Sequence, residues 1–106
     1  MMIRTALRMN QYLVKVRDFK DAECINRRLA VRPAHFVGAK EFKEKNVLVN
    51  GGAIINGEGA MCGSFLLLNL ESPDKVMELI KNDVYSTSKV WDLDTVEISQ
   101  VKIADL

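Results

Sequence analysis

The chain is poor in the residues that carry most catalytic and metal chemistry. Its 106 residues include one histidine, His35, two cysteines, two prolines and one tryptophan. The cysteines, Cys24 and Cys62, are far apart and form no Cys-x-x-Cys spacing. With a single imidazole and no paired-carboxylate motif they do not supply a transition-metal shell, so neither a metal nor a cofactor is expected. They are expected instead to be free thiols in a reducing compartment. There is no P-loop and no Gly-x-Gly-x-x-Gly, which removes the usual phosphate and dinucleotide cradles. No apolar run approaches a membrane span and no signal-peptide core is visible, so a cytoplasmic location without a membrane partner is expected. An excess of charge is also missing: 15 basic residues stand against 14 acidic ones, for a net charge of +1. Such a chain has no basic surplus with which to release counterions from a polyanion, and nucleic acid is not expected as a partner.

Residues 1–9 are basic and lack any acid, the first being Asp18. They read as an N-terminal extension, with a mitochondrial presequence as the weaker alternative. Residues 10–106 are the length of one domain. Tyr12, Val14 and Val16 alternate with Lys15 and Arg17, the pattern of a half-buried strand. Asp18–Arg32 reads as helical or mixed, and Pro33 is expected to divide it from a new helix over Pro33–Lys45. Asn46–Ile55 and Ala60–Leu70 read as strands, with a close backbone approach or bulge at Gly51-Gly52 and a hairpin turn at Asn56-Gly57-Glu58-Gly59. Ser72-Pro73-Asp74 is an N-cap, an N1 proline and a first-turn acid, opening a helix that carries Val76, Met77, Leu79 and Ile80. Asn82–Asp92 reads as a loop and Thr95–Ile103 as a last strand, with a bend near Ser99-Gln100.

The order β-α-β-β-α-β predicts an α+β fold of the ferredoxin-like kind. Such a sheet has helices on one face only. Phe65-Leu66-Leu67-Leu68 is nevertheless apolar on both phases of its strand. The cheapest cover for the second face is another copy, sheet against sheet, which predicts a homodimer. An RNA-recognition reading of the same order fails at Gly63-Ser64-Phe65-Leu66, which lacks a basic residue and spaced aromatics.

His35 is the first candidate site residue, because histidine is the side chain whose unperturbed pKa falls between pH 5 and 8. With Pro33 at N1 it is expected in a first turn, facing the sheet with Ala39 and Phe42. Alone, it reads first as a half-buried histidine satisfied by one backbone bond, and second as a site residue. Asp83 follows the second helix. It reads as a turn former, or, if the fold brings it to His35, as the carboxylate that orients the imidazole. Arg32 is a surface cation or a planar clamp for an anion. Ser64 is a packing hydroxyl or a cavity wall, and Tyr85 and Trp91 are core residues or ligand contacts.

Arg27-Arg28-Leu29-Ala30-Val31-Arg32-Pro33-Ala34-His35 resembles the Arg-x-x-His region of YciI-like (YCII-related domain) proteins. Tyr12-Leu13-Val14 resembles that family's opening strand, and Asn82-Asp83-Val84-Tyr85 its Asp-Pro-aromatic segment, with Val84 in place of the proline. The resemblance implies a dimeric α+β barrel of two ferredoxin-like protomers and a His35–Asp83 pair. With it comes acid–base chemistry of elimination or isomerisation type on a small organic molecule; Arg32, Ser64, Tyr85 and Trp91, singled out by residue type and position alone, are the expected substrate contacts. The alternative is a non-catalytic ligand-binding or dimerisation module on the same barrel.

Overall fold

The computed structural model of the protein describes residues 9–106. The expected extension, apart from Met9, and the question of a leader lie outside the described residues. Strand β1 (Asn10–Asp18) buries Tyr12, Val14 and Val16 as the alternation predicts, and Asp18 continues the same inward phase. Helix α1 (Cys24–Glu44) follows, then β2 (Leu48–Ile55), β3 (Met61–Leu70), α2 (Pro73–Asn82), α3 (Val84–Thr87) and β4 (Trp91–Val101). The four strands form an antiparallel sheet in the order β2-β3-β1-β4, the ferredoxin-like arrangement.

Pro33 does not divide α1. The helix runs through it for 21 residues. Proline removes the bond from its own nitrogen to the Leu29 carbonyl, but Pro33 and Leu29 both lie on the exposed side, where water can meet that carbonyl. The helix ends where Asn46 takes a left-handed φ of 61°, with Asn46 N–H donating to Lys43 O and Val47 N–H to Phe42 O. Paired bonds of this kind satisfy the carbonyls a helix end leaves open. At α2 the Ser72 hydroxyl accepts from Lys75 N–H at 3.3 Å, as an N-cap should.

The stretch 82–92 is not a plain loop. Asp83 caps the short helix α3, and β4 begins at Trp91, earlier than the periodicity suggests. The irregularity of β4 also lies elsewhere than Ser99-Gln100. Pairing with β1 jumps from Lys15–Glu97 to Arg17–Asp92, and Thr95 Oγ1 fills the gap by accepting Arg17 N–H at 2.8 Å. That bulge lets Trp91 and Ile98, seven residues apart, both point into the core, while pairing from Ile98 to Val101 runs without a break. The β2–β3 turn is the expected one: Asn56 Oδ1 accepts from Glu58 and Ala60 N–H, and Gly59 takes the positive φ. The close approach at Gly52 is also present, since a Cβ there would meet the Phe65 ring at 2.9 Å.

The core lies between the sheet and the helices. Tyr12, Val14, Val16, Leu66 and Leu68 meet Val76, Ile80, Tyr85, Val90 and Trp91 there. The register places Leu13, Phe65 and Leu67 on the opposite face, where each is only half-buried.

Candidate active site

The inward stripe of α1 is where apolar side chains would be expected, yet its buried residues are Cys24 and Arg28, and His35 continues the same stripe. Arg28 is 3% exposed. Its Nη1 donates to both oxygens of Asp18, at 2.9 and 3.0 Å, and its Nη2 donates to Ser64 Oγ at 3.1 Å. Trp91 Nε1 donates to the same Ser64 oxygen at 2.9 Å. A four-residue polar knot thus joins β1, α1, β3 and β4. Burial pushes the Asp18 carboxyl above its ordinary range, and Arg28 pulls it part of the way back.

The aromatic groups stand on this knot. The Arg28 guanidinium lies over the Tyr85 ring, 4.7 Å from its centroid. His35 stacks on Tyr85 with centroids 3.8 Å apart and an interplanar angle of 14°. Trp91 sets its edge against both, at 5.8 Å from His35 and 5.4 Å from Tyr85. Such packing leaves the imidazole little rotational freedom.

Asp83 completes the arrangement. Its Oδ1 lies 2.9 Å from His35 Nδ1 and also accepts Tyr85 N–H at 2.8 Å. An oxygen that accepts from the backbone accepts from the ring as well, so Nδ1 carries its hydrogen and the neutral ring keeps its lone pair on Nε2. Nε2 makes no hydrogen bond among the described residues. Both side chains are 13% exposed. Val84, standing where a proline is usual, does not loosen the segment. Asp83 is held as the α3 cap, its carbonyl accepting Ser86 and Thr87 N–H.

A cavity of about 320 Å³ opens beside the stack. Arg28, Arg32, His35, Ser64 and Tyr85 line it, with Phe36, Met61 and Leu66 among its apolar walls. Burial raises the Tyr85 phenol above its ordinary value, so it stays a hydrogen-bond donor at neutral pH.

All six residues singled out from sequence therefore meet at one place, with two corrections. His35 is mid-helix rather than in a first turn, so the helix dipole does not act on it and Asp83 is its electrostatic partner. Trp91 is 1% exposed and does not line the cavity; it backs the stack rather than facing a ligand. Ser64 is buried and already accepts two hydrogen bonds. Arg28 and Asp18 were not foreseen, although both leave a trace in the sequence. Asp18 extends the apolar phase of β1, and Arg28, Arg32 and His35 are spaced i, i+4 and i+7. Among the described residues, no group of three or more histidine, cysteine or carboxylate side chains is placed to hold a metal ion.

The YCII-related domain family matches the chain over residues 10–102. No curated protein matches the sequence. Among solved structures, the fold is similar to 5-chloro-2-hydroxyhydroquinone dehydrochlorinase from Burkholderia phenoliruptrix, seen in complex with 2,5-dihydroxybenzoquinone. The TM-score is 0.74 at 20% identity, covering 89% of this chain and 95% of that one.

Proposed function

The chain belongs to the YCII-related domain family, and on that premise we propose that it is a small-molecule enzyme in which His35 is the general base and Asp83 orients it. The observation that carries this reading is the 2.9 Å His35–Asp83 contact beside an open cavity. Nε2 takes a proton from a substrate carbon, and the Asp83 carboxylate stabilises the resulting imidazolium. In an elimination, the C–H electron pair becomes the new double bond while the neighbouring carbon–halogen bond breaks and the halide leaves with its pair. In an isomerisation, His35 returns the proton to a different carbon. The Tyr85 hydroxyl donates to the oxygen on which charge develops. A dehydrochlorinase of similar fold supports the elimination form.

Incubating the protein in D₂O with small hydroxyaromatic and enolisable compounds tests the reading by proton NMR. Catalysed exchange or halide release is expected. Asp83→Asn is expected to reduce it by about 10²–10⁴ while the fold is kept, because the amide oxygen can hold the ring but carries no charge to stabilise the imidazolium. A second reading has its own support, since Asp83 Oδ1 also serves as a helix cap. Binding of the same compounds without exchange, in wild type as in the variant, would establish that non-catalytic reading instead.

The second copy is part of the proposal. Leu13, Phe65 and Leu67 share the face away from the helices, and a partner sheet would remove these apolar side chains from water. Solution mass is expected at twice the monomer value of 11.9 kDa, and Leu67→Lys is expected to halve it. A wild-type monomer at working concentration removes the dimer from the proposal.

A further inference from the structure

The cavity beside His35 is lined by Arg28, Arg32 and Lys43 and by no aspartate or glutamate. Two of the three cations are already occupied. Arg28 is paired with Asp18 at 2.9 Å, and Lys43 Nζ donates to the Val49 carbonyl at 3.3 Å. Arg32 is different: among the described residues, no carboxylate lies within ion-pairing distance of it. Its guanidinium is instead laid over the Phe36 ring, 4.9 Å from the centroid. Stacking fixes the plane of the fork and leaves its N–H edge available, which suits bidentate capture of a planar oxyanion.

The neighbouring charges set the kind of anion. Asp18 neutralises Arg28, and Asp83 would neutralise a protonated His35. Lys43 keeps its charge, since a carbonyl does not neutralise it, but it stands about 12 Å beyond His35 along α1, so one guanidinium faces the reacting end and suits one negative charge there better than two. Arg32 precedes His35 by three residues, so the two side chains emerge side by side on the helix. The apolar walls, Phe36, Met61 and Leu66, suit a carbon skeleton, and a cavity of about 320 Å³ is at the small end of ligand sites. Arg28 supplies a second, independent sign. Its Nε is buried with no partner among the described residues, a cost that an apolar residue on this stripe would avoid.

We propose that the ligand of this cavity is a small organic monoacid whose carboxylate is clamped by Arg32, which places the adjacent carbon under His35. This rests on the catalytic reading only for what happens next; the recognition itself does not require turnover. The test is calorimetric titration with matched pairs, benzoate against benzamide and crotonate against crotonamide, with phenyl phosphate as a third probe. Wild type is expected to bind each acid about tenfold or more tightly than its amide, the scale of one charge-assisted bidentate pair. Arg32→Gln, with an unchanged denaturation midpoint, is expected to lose that preference. Lys43→Gln is expected to keep it. Equal binding of acids and amides, no acid binding at all, an equal loss in Lys43→Gln, or tighter binding of phenyl phosphate than of benzoate would each overturn the proposal. Acid preference without D₂O exchange leaves the clamp standing and removes the catalytic reading; exchange without acid preference does the reverse.

Discussion

His35→Ala is expected to lower turnover of any substrate by about 10²–10⁴, the usual contribution of one general base, while the fold remains. Among the described residues, the imidazole is the one group in the cavity with an orienting carboxylate on one nitrogen and an unengaged second nitrogen. Its removal also takes away the face that stacks on Tyr85 at 3.8 Å, so a loss of packing has to be separated from a loss of chemistry. His35→Gln serves for this. It keeps a polar, half-buried side chain near Asp83 but offers no comparable base. If both variants lose turnover while their circular dichroism and ligand affinity stay near wild type, the role is chemical. Full activity in His35→Gln would end the assignment.

Arg28→Met is expected to be the most destabilising single change near the site, by about 3–5 kcal/mol at neutral pH, because it leaves a buried carboxylate uncompensated. Asp18 and Arg28 side chains are only 6% and 4% exposed, so water cannot replace the lost partner. The pH dependence follows from the direction of the Asp18 shift. Burial already holds this carboxyl above its ordinary value, and Arg28 is what opposes the rise. A carboxyl with a raised folded pKa stabilises the fold fully below its unfolded value, about 3.9, and that contribution is lost as pH rises through the folded value. Without Arg28 the folded value climbs further. The deficit of the variant against wild type is therefore largest near neutrality and shrinks on acidification. Urea denaturation of both proteins across this range measures it. A deficit that is constant, or that grows in acid, would mean Asp18 is not the group left exposed to the low dielectric.

The elements that local chemistry specifies were legible from the chain. Alternation in Tyr12-Val14-Val16, the cap and proline of Ser72-Pro73 and the turn at Asn56–Gly59 each act within a few residues, and each is present. The elements that depend on distant packing were not. Pro33 looked like a break because a proline removes one helical bond; the helix passes through because that bond lies on its wet side. The α3 turn after Asp83 is too short to show a period, and it is held by its cap and by burial of Tyr85. The early start of β4 depends on a bulge against β1 that no local pattern announces.

The candidate site divides along the same line. Residue types and their order along the chain were enough to single out His35, Asp83, Arg32, Ser64 and Tyr85, and with the family resemblance to pair the first two. Distance was not in the chain: 48 residues separate His35 from Asp83 in sequence, and only the packing of α1 over the sheet, with α3 folded back against it, brings them to 2.9 Å. The knot of Asp18, Arg28, Ser64 and Trp91 was likewise decided by tertiary structure. Hydrophobic period and capping are properties of neighbouring residues. Which buried charge meets which partner depends on how four separate elements close around one space, and that closure is where the protein's chemistry is set.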